Sequence, residues 1–463
     1  MNASIKSISP VDGRVYAERT AASAAEIDAA LERARRAQRA WRTTPLPERA
    51  ALLERFCAAF ESRAAQLAEG LAWQMGRPIR FAPSEVRGTL ERARYMIGAA
   101  TAALADLDVG PKPGFRRFIR REPLGAVFTV AAWNYPYLIA VNSVVPALLA
   151  GNAVVLKHSA QTPLAAEAFA ECLAAAALPA GLFQVLHLSH QDTERVIGDA
   201  RVDFVAFTGS VAGGRAVQRA AAERFVGVGL ELGGCDPVYV REDADLRHAI
   251  ENIVDGAYFN SGQSCCGLQR IYVHESLYEP FTQGAIELIR QYRLGNPLDP
   301  ETTLGPLVRT AAADAVRAQI AAAVAAGARP AIAEREFPAS RAGTPYLAPQ
   351  LLLDAPAGSA VMREEIFGPV AGVMKVAGDA QAIAHMNDSA FGLTAAVWTA
   401  DAAAAERLGA QLETGTFFMN RCDYLDPALA WVGVKDSGRG CTLSVVGYEH
   451  LTRPKSFHLR VTT

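Results

Sequence analysis

Apolar residues recur at helical spacing over residues 24–40 and again over 47–73, with Ala, Arg, Glu and Leu filling both segments. This spacing predicts two amphipathic surface helices. Further on, the stretch 115–121 is basic and extended in character, and Gly114 before it marks a protruding strand rather than core. Then the pattern switches to alternation. Short apolar runs at 126–131, 153–156, 183–188 and 204–207 read as buried strands. Between and after them lie helical stretches over 137–149 and 163–177 and from about 192 and 213. A second series starts near residue 231, with strands over 238–240, 271–273, 370–376 and 395–399. Its helices begin at 245 and 277, and Ala-rich ones cover 311–326 and 401–412. Short apolar strands alternating with helices predict an α/β fold of two doubly wound parallel units. Such sheets bind ligands at the carboxyl ends of their strands.

Composition narrows the function. Half of the 463 residues are hydrophobic and the net charge is −2, so nothing favours a polyanion or an anionic membrane as partner. The seven cysteines include no Cys-x-x-Cys pair, which argues against zinc and against a disulfide framework; no metal site is expected. Reduced thiols fit a cytoplasmic location. No charged residue lies between Glu122 and Lys157, but Pro136, Pro146, Gly125 and Gly151 interrupt the run. It falls short of the ~20 apolar residues of a spanning helix. Neither a signal peptide at the start nor a lipidation signal at the end is expected.

Several residues suit chemistry. Cys265 sits in Asn260-Ser261-Gly262-Gln263-Ser264-Cys265-Cys266-Gly267, a Gly-flanked turn that a substrate can approach closely. Glu231, in Glu231-Leu232-Gly233-Gly234, ends an apolar stretch. Burial there would raise its pKa toward that of a useful base, whereas a capping or ion-paired glutamate is the plain alternative. Asn134, in Trp133-Asn134-Tyr135-Pro136, offers an amide to a developing oxyanion, or simply turns the chain before Pro136. Phe207-Thr208-Gly209-Ser210 with Gly214 forms a strand, a turn and a helix start. The free N–H groups there can hold phosphate, though the glycine spacing is not the usual dinucleotide fingerprint. Lys157 ends a strand within reach of a ribose, or is a solvated lysine. Cys266 reads as packing, and Glu364-Glu365-Ile366-Phe367-Gly368-Pro369 as a charged helix end.

Taken in order, these segments resemble the aldehyde dehydrogenase family over nearly the whole chain, from Pro10-Val11-Asp12-Gly13 to Lys455-Ser456. Further matches are Asn387, Phe391-Gly392-Leu393, Gly415-Thr416, Asn420 and Lys435-Asp436-Ser437-Gly438. The resemblance implies NAD(P)-dependent oxidation of an aldehyde to a carboxylic acid. In that reading Cys265 is the nucleophile, Asn134 the oxyanion donor and Glu231 the base for the deacylating water. Lys157, Ser159, Gly209, Ser210 and Gly214 would meet the coenzyme, as would Trp133, Leu232, Glu365 and Phe367. It implies a coenzyme-binding domain (1–106 and 123–230), a catalytic domain (231–440) and a small β oligomerisation arm (107–122 and 441–463). A homodimer or homotetramer follows from that arm.

Departures from the family pattern affect the details. His158 replaces the Pro that often follows the lysine. Ala160 stands where an acidic residue frequently favours NAD, so NADP is admitted as well, with Ser159 as a donor to its 2′-phosphate. Cys235-Asp236 follows the paired glycines without catalytic consequence. By resemblance the aldehyde tunnel is lined by Tyr135, Leu138, Ile139, Asn142, Phe259, Ser264, Cys266, Tyr424 and Trp431. That lining is largely aromatic and apolar, which suggests a medium-length aliphatic or aromatic aldehyde or a semialdehyde. Arg421 and Asp423 read as a solvated loop at its mouth. The rival readings are a CoA-acylating relative, against which Glu231 speaks, and a catalytically silent paralogue, against which Cys265, Glu231 and Asn134 all speak.

Overall fold

The computed structural model describes residues 4–462. Strand Ala126–Ala131 is buried at every position, as expected where helices cover both faces of a parallel sheet. It lies inside a six-stranded sheet with Ala153–His158 and Phe183–Val185 on one side. On its other side are Phe204–Thr208, Gly227–Glu231 and a short antiparallel strand, Gly438–Arg439. The chain first winds outward one way from Ala126–Ala131 and then returns to wind the other way. This reversal opens a crevice at the strands' carboxyl ends. Trp133-Asn134, Lys157, Thr208 and Glu231 all stand at or just beyond those ends.

A second sheet has seven strands. From one edge these are Arg329–Pro330, Gln350–Leu353, Val370–Val376, Leu268–His274, Asp236–Val240, Thr394–Trp398 and Thr416–Met419. All pairings are parallel except that of the first edge strand. A third, antiparallel sheet joins Thr452–Arg460 to Phe115–Pro123 and Leu107–Asp108, so the basic strand pairs with the end of the chain. Phe118 and Phe457 stack across it with ring centroids 4.6 Å apart.

Some boundaries differ from the sequence expectation for identifiable reasons. The helix expected over 47–73 is two, Leu46–Ser62 and Ala64–Met75, broken at Arg63 with φ −104°. The helices expected from 192 and 213 start earlier, at His190–Gly198 and Val211–Ala221. Ser189 and Ser210 cap them; the polar first turn His190-Gln191-Asp192 hides one start and the glycines Gly213 and Gly214 the other. The strand expected over 183–188 is only Phe183–Val185. A long helix, Ala82–Ala103, was not expected at all. It packs along Pro136–Leu149, which in turn rests on strands Ala126–Ala131 and Ala153–His158.

Candidate active site

The cysteine turn is shaped by close backbone approaches. Asn260 and Ser261 adopt left-handed conformations with φ 53° and 56°, and Gly262 follows with φ 69°. A Cβ at Gly262 would collide with the carbonyl of Gly368, so glycine is required there on two counts. Gly234 is equally constrained, because a Cβ would meet the Cys265 carbonyl. Gly233 leaves room for the Glu365 carboxylate. Three sequence motifs distant along the chain therefore meet as one packed unit.

Cys265 is partly exposed on the wall of a cavity of about 410 Å³. Asn134 and Glu231 line the same cavity. Asn134 is buried, and its Nδ2 donates to the Gln263 carbonyl at 3.2 Å. Its own carbonyl accepts from Arg77 Nη2 at 2.7 Å and Asn260 Nδ2 at 3.1 Å. Arg77 is itself ion-paired with Glu85, and both are fully buried. The two carboxylate oxygens of Glu231 accept from Thr442 Oγ1 at 2.6 Å and Thr208 Oγ1 at 3.1 Å. Burial pushes the Glu231 pKa up, and the two threonines and Arg92 oppose it.

The nine residues named for the tunnel all lie on this cavity wall: Tyr135, Leu138, Ile139, Asn142, Phe259, Ser264, Cys266, Tyr424 and Trp431. The wall is more polar than its sequence suggested, since Arg92, Asp255 and Asp423 share it. Asp423 is not a solvated loop residue. It accepts from Cys266 Sγ at 2.9 Å and Ser264 Oγ at 3.2 Å, and burial pushes it up to about 7. Cys266 is thus more than packing; its contact with Cys265, its burial and Asp423 hold its thiol well above the usual range. Arg421, by contrast, is exposed and stacks on Tyr424 at 3.6 Å.

The candidate coenzyme residues fall in three places. Trp133 meets Phe367 edge-on, with centroids 5.6 Å apart, and Glu365 accepts from Gly234 N at 3.2 Å. Burial pushes Glu365 up to about 7. Gly214 and Leu232 pack together on the wall of a second cavity of about 400 Å³. Lys157, Ser159, Gly209 and Ser210 lie outside both cavities, Lys157 near the end of strand Ala153–His158 and the others just beyond their strands. Ser210 Oγ caps its helix by accepting from Gly213 N at 3.2 Å, and Ser159 Oγ accepts from Gln161 N at 3.2 Å. Gly209 and Gly213 have no room for a side chain against the Phe207 ring. The Lys157 ammonium has no partner among the described residues, and burial pushes its pKa down. A half-buried cation without a counterion at one strand end, and a capped helix start after another strand of the same sheet, suit a dinucleotide.

Sequence reasoning missed Arg77, Glu85, Arg92 and Thr442, and the contact of Thr208 with Glu231. The signal available for Glu85 and Arg92 was their spacing of seven on one face of a helix that otherwise buries apolar residues.

The doubly wound sheet with a cavity at its crevice is the architecture of an α/β enzyme that binds its ligands at the strands' carboxyl ends. Residues 1–457 match the model of the aldehyde dehydrogenase family, and the chain belongs to that family. It oxidises aldehydes with NAD or NADP. It is 34% identical to an NADP(+) succinate-semialdehyde dehydrogenase of Mycobacterium avium over 455 residues, covering 98% of this chain and 96% of that one. It is 35% identical to betaine aldehyde dehydrogenase 1 of Rhizobium meliloti over 457 residues, covering 98% and 93%. A solved succinic semialdehyde dehydrogenase from Streptococcus pyogenes, in complex with NADP+, superposes with a TM-score of 0.94 at 28% identity, covering 98% of this chain and 100% of that one. No helix among the described residues is long and apolar enough to cross a membrane.

Proposed function

We propose that Cys265 is the nucleophile, Asn134 the oxyanion donor and Glu231 the general base of this oxidation. The observation that carries the reading is the common cavity lined by all three groups. The Cys265 thiolate adds to the aldehyde carbon, and the thiohemiacetal oxygen accepts from Asn134 Nδ2 and the Cys265 N–H. Bound NAD or NADP supplies the acceptor for the hydride that then leaves that carbon. A thioester remains on Cys265. Water adds to it while Glu231 takes the proton, and the thiolate leaves with the carboxylic acid released. Burial makes Glu231 a stronger base, and the paired threonines hold its carboxylate in place.

On the coenzyme side, Lys157, Ser159, Gly209, Ser210 and Gly214 serve the ribose and phosphates. Glu365, Phe367, Trp133 and Leu232 serve the nicotinamide half. With Ala160 in place of an acid, nothing there repels a 2′-phosphate, so NADP is accepted alongside NAD. Residues 1–106 and 123–230 form the coenzyme-binding domain, 231–440 the catalytic domain, and 107–122 with 441–463 the arm. Exposed Leu107, Val109, Leu459 and Val461 give that arm an apolar surface for a homodimer or homotetramer in the cytoplasm. Succinate semialdehyde carries a carboxylate and betaine aldehyde a quaternary ammonium, so the relatives' names leave the sign of the substrate's tail open.

The test is an aldehyde panel with NAD and NADP in parallel, following reduced coenzyme, for the natural chain and Cys265→Ala. Turnover of any accepted aldehyde is expected to vanish in the variant. Retained turnover would assign the chemistry to another group.

A further inference from the structure

Helix Ala82–Ala103 turns Glu85, Gly88 and Arg92 toward the cavity that holds Cys265. Residues three, four and seven apart share a helix face, so this one puts an acid, a gap and a base in line. The acid is neutralised, because Glu85 is paired with Arg77. The base is not. Arg92 is only 9% exposed and forms no salt bridge among the described residues. Its Nη1 donates to the Leu138 carbonyl and to Asn142 Oδ1, each at 3.1 Å. Its Nε and Nη2 have no partner there, and the side chain lines the cavity.

A buried guanidinium without a counterion is costly, and unlike a carboxyl it cannot relieve the cost by changing its protonation. The acids facing it differ in this respect. Glu91 accepts from Tyr424 Oη at 2.9 Å, and Asp423 is held by Cys266 and Ser264. Burial disfavours the charged form of both Asp255 and Asp423, raising the latter to about 7. Glu231 is the strongest charge acting on Arg92, yet its two oxygens already lie on Thr208 and Thr442. Arg92 is thus the buried charged group on this wall whose Nε and Nη2 are left without a hydrogen-bond partner among the described residues.

We propose that Arg92 is a specificity residue that receives an anionic tail, so that the preferred substrates are aldehydes bearing a carboxylate at the far end. Nε and Nη2 take the carboxylate through two parallel hydrogen bonds, while Asn142 and Leu138 fix the guanidinium through Nη1. The proposal rests on the reading of Cys265 as the nucleophile, since the tail must lie in the same cavity.

The experiment compares kcat/KM for a short ω-carboxy aldehyde, the uncharged alkanal of equal chain length and a trimethylammonio aldehyde. It is run on the natural chain, Arg92→Met and Arg92→Lys. The natural chain is expected to prefer the carboxy aldehyde. In Arg92→Met its advantage over the alkanal should fall on the order of 100-fold, with partial recovery in Arg92→Lys. An unchanged ratio, an equal fall for both substrates, or a natural preference for the trimethylammonio aldehyde overturns the proposal. Failure of the natural chain to oxidise any of the three would instead strike the assignment of the active site. Should Arg92→Met not fold, inhibition of the natural enzyme decides. A dicarboxylate is expected to inhibit more strongly than the monocarboxylate of equal length, and equal inhibition overturns the proposal.

Discussion

His158 should make this protein lose stability in mild acid by a predictable amount. Its ring is buried between the end of strand Ala153–His158 and the turn that carries Asn134. Nδ1 faces the Ser159 N–H at 3.0 Å and Thr162 Oγ1 at 3.0 Å, and Nε2 faces the Pro136 carbonyl at 3.1 Å. A backbone N–H can only donate, so Nδ1 must be the bare acceptor and Nε2 must carry the proton to Pro136. A second proton would have to enter at Nδ1, against the Ser159 N–H. Burial pushes the pKa down from 6.5 to about 4, with the Lys157 and His187 charges adding to it and the Pro136 hydrogen bond opposing. A folded-state pKa below the unfolded one gives stability that is fully present above 6.5. It is lost as the pH falls toward 4. Linkage over that window puts the loss from this one residue at about 2 kcal/mol between about pH 7 and about pH 5. Urea unfolding followed by tryptophan fluorescence at both pH values measures it, with His158→Gln as the reference that cannot titrate. The natural chain should lose about 2 kcal/mol more than the variant over this interval. Equal losses would show that the ring is free to protonate in the fold, and the tautomer argument would be wrong.

Glu231→Gln should release a rapid burst of reduced coenzyme followed by slow turnover, since hydride transfer precedes the step that needs a base. In the natural enzyme the deacylation rate should climb with pH through a value above the usual carboxylate range, because burial raises Glu231; an unchanged steady state in the variant removes the role. Arg77→Met should cost about 3–5 kcal/mol in urea unfolding, because it strands the buried Glu85. It should also lower kcat by freeing the Asn134 backbone, and a loss below about 1 kcal/mol would show that Glu85 finds relief elsewhere.

The legible parts of the fold were those where hydrophobicity and backbone agree. Strands Ala126–Ala131 and Val370–Val376 match their apolar runs residue for residue; the first is buried at every position, and the second is interrupted only by exposed Lys375 near its end. Helix Ala82–Ala103 was illegible for the opposite reason. Its buried face includes Glu85, Thr89 and Arg92, so the apolar period breaks where the helix meets the cavity. The break at Arg63 left no mark either, since Ala-rich sequence surrounds it and neither Pro nor Gly announces it. In the site, Cys265, Asn134 and Glu231 stood out through their motifs. Their partners Arg77 and Thr442 carry no local pattern, and the Phe207-Thr208-Gly209-Ser210 motif gave no sign that Thr208 meets Glu231; long-range packing alone brings these contacts about.

That division has a steric origin. The cysteine turn touches the other motifs through its backbone: Gly234 lies under the Cys265 carbonyl, and Gly262 against the Gly368 carbonyl. Any side chain at these glycines forces main chain to move, and with it the thiol. Chemistry held by backbone contact is therefore written in short fixed strings, and the reaction can be read from them. The tunnel is built differently. Its walls are side chains projecting from helices Ala82–Ala103 and Pro136–Leu149, where Asn142 or Arg92 can be exchanged for another residue without moving a strand end. Substrate preference thus sits in isolated positions such as Arg92, whose meaning appears only once the helix is packed and its missing counterion can be seen.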